Sequence, residues 1–212
     1  MLIMQTYEQL FDPDLNWALS EGSRHFEGKS AVQDALRKIA RGLKELGVPY
    51  AVAGGMALFA HGFRRFTEDV DVLVTREGWK TIHDRLEGFG YEVPPFPGSK
   101  NLRDAEHGVR IEFRIAGEFP GDGKPKPVAF PDPAEAGVEI DGRTFLSLPR
   151  LVELKLASGM TGGIPRLKDL ADVVSLIQTL NLPAEFADSL DPYVRAQYLQ
   201  LWEGVRRDTR EP

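Results

Sequence analysis

Two glycines, Gly54 and Gly55, are followed after thirteen residues by Asp69-Val70-Asp71-Val72. Side chains alternate faces along a strand, so Asp69 and Asp71 project from one face with Cα atoms about 6.5–7 Å apart. That spacing lets both carboxylates reach one hard cation. Magnesium takes oxygen ligands and fills its remaining positions with substrate phosphates, so a carboxylate pair on a strand suits a metal–triphosphate complex. A diglycine ahead of a helix serves the phosphates, because a backbone without Cβ lets a ligand approach closely and free N–H groups attract anions. A third carboxylate is expected on an adjacent strand. Arg110-Ile111-Glu112-Phe113-Arg114 offers Glu112, as a ligand of a second ion or as a general base. The same Arg-Glu-Arg face also reads as an ordinary solvent-facing strand with cross-strand ion pairs, and Asp104 and Glu106 compete for the third position. His61, beside glycine at a helix end, reads as a cap or a packed ring.

The surrounding pattern shows what positions these groups. Ser30 and Gln33 form a capping box, and Val32, Leu36, Ile39, Leu43 and Leu46 recur at helical spacing before Gly47, which predicts an amphipathic, core-packing helix. Val48 to Ala53 reads as a strand, Met56 to His61 as a helix, Asp69 to Val74 as a strand, Gly78 to Leu86 as a helix and Tyr91 to Val93 as a short strand. Residues 94–108 read as a loop, and Val109 to Ile115 as a strand with strict alternation. The segment 117–137 holds five prolines and four glycines and reads as a long functional loop. Val138 to Ile140 and Arg143 to Leu146, around Asp141-Gly142, predict a hairpin. Helices are expected over Pro149–Ser158, Pro165–Leu180 and Pro192–Arg206, the second with Leu167, Leu170, Ala171, Val174 and Ile177 on one stripe. Residues 1–29 are weakly patterned, with Trp17 and Phe26 as candidate anchors. The expected organisation is an N-terminal extension over 1–29, an α/β core over 30–147 and a helical region over 148–212.

Composition bounds the function. A chain of 212 residues, 42% hydrophobic and 27% charged, supports one good core. Its net charge of −6 argues against nonspecific coating of nucleic acid, while leaving room for a local basic groove. No apolar run approaches the roughly 18–20 residues that would span a bilayer, and the opening MLIMQTYEQLFDPD turns acidic too early for a signal peptide. A cytoplasmic protein is expected. With no cysteine, any metal must sit on oxygen or imidazole.

Ala53-Gly54-Gly55 and Asp69-Val70-Asp71-Val72 resemble the signature of the nucleotidyltransferase superfamily that shares the polymerase β palm. The wider stretch AVAGGMALFAHGFRRFTEDVDVLV and the later LPRLVELKLASGMTGGIPRLKDLADVVSLI are similar to its bacterial branch of AbiEii-type toxins and uncharacterised relatives. The resemblance covers roughly residues 48–180. It implies an α/β (α+β) fold, a small mixed sheet flanked by helices with a C-terminal helical segment. It also implies transfer of a nucleoside monophosphate from an NTP, with Mg²⁺ or Mn²⁺ on Asp69, Asp71 and Glu112. Lys155 and Asp169 match positions that serve nucleotide binding and catalysis in the toxins, and Lys155, Arg65 and Arg110 would neutralise phosphate oxygens. Read as residues alone, Lys155 and Asp169 could be polar helix faces, and Lys168 with Asp172 a stabilising i, i+4 pair. The acceptor hydroxyl could belong to a tRNA 3′ end, a protein or a small molecule, and a cognate antitoxin is a further expected partner. The alternative is a catalytically silent nucleotide-binding or antitoxin-like module.

Overall fold

Val70 and Val72 are fully buried, and they seat the strand β2 (Asp69–Val74) at the centre of a sheet. Its neighbours are β1 (Tyr50–Val52), which runs antiparallel, and β5 (Arg110–Ile115), which runs parallel with Asp71 opposite Glu112. Beyond β5 lie β4 (Asn101–Asp104) and β3 (Tyr91–Glu92); beyond β1 lie β7 (Arg143–Leu146) and β6 (Gly137–Ile140). The order across this seven-stranded mixed sheet is β3-β4-β5-β2-β1-β7-β6. The computed structural model describes residues 6–11, 13–86, 88, 90–93 and 99–208.

Alternation along β2 and β5 separates two faces. Val70, Val72, Ile111, Phe113 and Ile115 point to one, which α2 (Ala31–Glu45) covers with the buried Val32, Leu36, Ile39 and Leu43. Ser30 caps α2, accepting from the Gln33 N–H at 3.3 Å, which is the serine half of the expected capping box. The helix α4 (Arg76–Leu86) packs on the same face, its Trp79 ring 4.9 Å from that of Phe113. The opposite face carries Asp69, Asp71, Arg110, Glu112 and Arg114, all half-buried. It looks across to α6 (Leu148–Thr161), which packs on α7 (Leu167–Thr179), which packs in turn on α8 (Pro192–Asp208). Apolar residues from Val32 to Val205 form one continuous core.

Four expectations need correction. Within the loop expected over 117–137, Pro133–Ala136 forms the short helix α5, with proline in its first turn and the Asp132 side chain accepting from the Ala134 N–H. Within the loop expected over 94–108, Asn101–Asp104 forms β4, paired antiparallel with β5; the tetrapeptide Asn-Leu-Arg-Asp has little strand character, and its neighbour's ladder imposes the conformation. Residues 94–98 of that segment lie outside the described residues. The stripe expected on α7 holds only in part: Ile177 is buried and Leu170 and Val174 pack against the core, but Leu167 and Ala171 are exposed, and the buried face also takes in Asp169, Asp172, Val173 and Leu176. A hydrophobic template cannot anticipate a face that buries two carboxylates against cations on other elements. In the N-terminal segment, Trp17 does anchor, edge-on to Tyr7 and Phe11 at 5.8 and 5.1 Å, but Phe26 is 46% exposed. The holding contacts there are α1 (Leu15–Phe26) groups that periodicity misses: Glu21 accepts from the Tyr7 hydroxyl and the Ala31 N–H, and the buried His25 meets Ser30 and the Arg65 carbonyl.

Candidate active site

The helix α3 (Gly54–Ala60) begins at the diglycine itself. Gly54 has φ +57°, a left-handed conformation that penalises any side chain, and a Cβ there would collide with the Asp71 carboxylate. A Cβ on Gly55 would stand 2.7 Å from the Thr67 Cβ. The paired glycines therefore make room for the aspartates' own carboxylates and supports, a closer relation than the separation into metal and phosphate devices expected from sequence.

Asp69 accepts from the Thr67 hydroxyl at 2.8 Å and from Arg110 Nη2 at 2.9 Å. Asp71 Oδ1 accepts from Arg114 Nε at 3.2 Å and Nη2 at 3.0 Å. The remaining nitrogen of that guanidinium, Nη1, lies 3.0 Å from Glu112 Oε1. The expected cross-strand ion pairs form on the Arg-Glu-Arg face, and Glu112 stands beside the aspartates. Burial works against the charge of each arginine, but the carboxylates around them outweigh it, and both guanidinium pKa values are raised. The register places Asp104 on the other face of the sheet, where it pairs with Lys38 and accepts from His107 at 3.1 Å. Asp104, Glu106 and His107 bring potential ligand atoms within 4.8 Å of one another, yet far from the diglycine, and this removes Asp104 and Glu106 as the third carboxylate. Asp69, Asp71 and Glu112 are not gathered so tightly, because the Arg114 guanidinium stands between two of them. Their donor set is hard, anionic oxygen on adjacent parallel strands, and it fits Mg²⁺ or Mn²⁺.

These groups form one wall of a cleft of about 450 Å³. The facing wall comes from α6 and α7, with Lys155, Ser158, Arg166, Lys168 and Asp169. Lys155 and Asp169 are buried, not surface polar faces: Lys155 Nζ donates to Asp169 at 3.0 Å and to Asp172 at 2.6 Å, and the Ser158 hydroxyl donates to Asp169 at 2.7 Å. Burial pushes the Asp169 carboxyl up, but Lys155 and Ser158 reverse this and hold it below the ordinary range. Arg65 lines the cleft and donates twice to Asp172, at 2.8 and 3.1 Å, which ties the loop before β2 to α7. Asp172 faces inward to Lys155 and Arg65, so the surface pair with Lys168 expected from i, i+4 spacing does not form. Phe119, Pro120, Gly121 and Phe130 bring the proline-rich loop to the cleft edge. His61 donates from Nε2 to the Leu146 carbonyl at 2.7 Å, a structural tie from α3 to β7.

The structure brings together the nine residues expected to hold metal or nucleotide: Gly54, Gly55, Arg65, Asp69, Asp71, Arg110, Glu112, Lys155 and Asp169 all line this cleft. Sequence reasoning missed Thr67, Arg114, Ser158 and Asp172. Arg114 had a legible signal, since it shares the face of Glu112 two residues on; the others depend on contacts between distant elements.

No family model matches the sequence, and no curated protein does. Among solved structures, the antibiotic-resistance factor ANT(2'')-Ia in solution is similar, with a TM-score of 0.51 over 82% of this chain and 95% of that one, at 16% identity. The crystal structure of ANT(2'')-Ia with adenylyl-2''-tobramycin has a TM-score of 0.42 (14% identity, 83% and 97% covered). JHP933 from Helicobacter pylori has 0.47 (14% identity, 84% and 92% covered). These last two scores are too low to bear on the fold. From the first similarity and the sheet described above, the chain shares the fold of ANT(2'')-Ia, a mixed α/β sheet flanked by helices.

Proposed function

We propose that this protein is a divalent-metal-dependent nucleotidyltransferase, with 30–147 as the catalytic palm and 148–212 as the helical wall of its cleft. The observation that carries this reading is the meeting of Asp69, Asp71 and Glu112 beside the Gly54-Gly55 bend, opposite the buried Lys155–Asp169 pair. Asp69, Asp71 and Glu112 would hold Mg²⁺ or Mn²⁺, which neutralises charge on the triphosphate and on the leaving group. The acceptor oxygen forms a bond to the α-phosphorus, the bond to the bridging α–β oxygen breaks, and pyrophosphate leaves. Glu112 would help activate the acceptor by taking its hydroxyl proton. Arg65, Arg110 and Lys155 supply cationic donors to phosphate oxygens. Thr67, through its hydrogen bond, fixes the orientation of Asp69.

The cleft lining has six cationic side chains (Arg65, Arg110, Arg114, Lys155, Arg166 and Lys168) against four carboxylates (Asp69, Asp71, Glu112 and Asp169). This excess favours an acceptor hydroxyl on an anionic or neutral molecule, such as a tRNA 3′ end, over a polycationic one. Membership of the AbiEii-type branch, a toxic effect and a cognate antitoxin rest on the sequence resemblance. A cytosolic location follows from the need for NTP; among the described residues, no helix is long and apolar enough to cross a membrane. One observation favours the catalytically silent alternative. Crowded carboxylates alone would demand a cation, but Arg110 and Arg114 already supply counter-charge, so the cluster is compatible with a fold that never turns over.

Purified protein with Mg²⁺, each labelled NTP and, in turn, total tRNA, cell extract and an aminoglycoside separates these readings. Label should enter an acceptor with wild type and not with Asp69→Ala/Asp71→Ala. Incorporation surviving in the double variant, or neither incorporation nor metal-dependent NTP binding in wild type, removes the enzyme reading. Growth arrest on expression that depends on the same carboxylates would support the toxin branch, and a neutral wild type would count against it.

A further inference from the structure

We propose that Arg114 competes with a divalent cation for Asp71 and Glu112, and so makes divalent metal and nucleotide bind cooperatively and not independently. The inference rests on the nucleotidyltransferase reading and assigns a regulatory role to one residue of that site.

Arg114 is not a rim charge. Its side chain is 25% exposed, and all three guanidinium nitrogens are directed at two of the three candidate metal ligands, Asp71 and Glu112. The β2–β5 register puts these groups within reach of one another: Asp71 sits opposite Glu112, and Arg114 is the next site-facing residue of the strand that carries Glu112. The other oxygen of Asp71, Oδ2, lies where a Cβ on residue 54 would collide with it, so the carboxylate is seated between Arg114 and the bare backbone of Gly54. A metal ion entering between Asp71 and Glu112 therefore competes with Arg114 for the same oxygens, and if it succeeds it leaves a guanidinium beside a second cation in a cleft already rich in positive charge. Metal alone has nothing to offer Arg114 in exchange. A triphosphate does, since its oxygens accept from the same planar fork as a carboxylate pair. Metal is disfavoured until nucleotide is present to receive Arg114, and by reciprocity nucleotide is disfavoured until metal has released it.

The test measures Mn²⁺ binding by electron paramagnetic resonance, without nucleotide and with the α,β-methylene analogues of the four nucleoside triphosphates. Wild type should bind Mn²⁺ weakly alone and much more tightly with one or more analogues. Arg114→Met should bind Mn²⁺ alone roughly tenfold or more tightly than wild type, the size expected for removing a charge-assisted bidentate competitor, and the tightening by nucleotide should shrink by at least the same factor. Arg110→Met, which spares the Asp71–Glu112 bridge, should keep most of the coupling. Arg114→Lys, a point charge unable to span both carboxylates, should fall between and carries the test if the methionine variant does not fold. Folded Arg114 variants whose Mn²⁺-alone affinity equals or falls below that of wild type overturn the proposal, as does equal loss of coupling in Arg110→Met. No Mn²⁺ binding by wild type under any condition removes the nucleotidyltransferase reading itself, and this inference with it.

Discussion

Gly54→Ala isolates the contact on which the site geometry turns. Gly54 has φ +57°, and a methyl group there collides with the carboxylate of Asp71. The left-handed conformation costs a non-glycine residue about 1–2 kcal/mol, and forcing Asp71 off its rotamer adds about 0.5–1.5 kcal/mol. A total of about 1.5–3.5 kcal/mol corresponds to a fall in Tm of about 3–14 °C for a chain of this size. The effect on chemistry should exceed the effect on stability, since a shift of about 1 Å in a ligating group can lower rate by about 10². Gly47 supplies the control: its φ is +65°, but a Cβ there meets open space, so Gly47→Ala pays only the backbone term. Paired thermal melts, Mn²⁺ titrations and label-transfer assays on both variants read the difference. Gly54→Ala should melt below Gly47→Ala and lose metal binding and transfer, both of which Gly47→Ala should keep. Indistinguishable variants, or intact metal binding in Gly54→Ala, would refute the reasoning.

Lys155→Met leaves Asp169 and Asp172 buried with one cation fewer and should destabilise by about 3 kcal/mol, read by urea titration; a change below about 1 kcal/mol would show that Arg65 and Arg166 already suffice. Thr67→Val removes the hydroxyl that orients Asp69 at nearly constant volume, so transfer should fall several-fold while Tm moves by only a few degrees, roughly what one hydrogen bond contributes. Stability should also depend on pH through His25, whose folded pKa lies below the ordinary 6.5 because burial disfavours the imidazolium. Below pH 6.5 the unfolded chain binds a proton that the folded chain does not, so this contribution is complete above 6.5 and is lost as pH falls through the folded value. His25→Gln should flatten the decline of Tm just below pH 6.5, and a variant with an unchanged slope there would place the titration elsewhere. Asp104 and Asp169, held low by Lys38 and Lys155, contribute in a separate window that begins below the ordinary 3.8.

Much of the sheet and of its site-facing residues was legible in the chain because their signals are local. Alternation marks Asp69–Val74 and Arg110–Ile115, helical periodicity marks α2, and Gly54-Gly55 marks a bend that needs bare backbone, so Asp69, Asp71 and Glu112 could be named before any coordinates. What the chain could not specify is who sits beside whom. The parallel register of β2 and β5 chose Glu112 over Asp104 and put Arg114 between two carboxylates; pairing register is a property of two strands, and neither strand encodes it alone. The α7 stripe shows the same limit, because Asp169 and Asp172 look like surface groups until Lys155 from α6 and Arg65 from the loop before β2 arrive to neutralise them. Charge burial is decided by partners far away in sequence, and only the folded chain brings them within hydrogen-bonding reach.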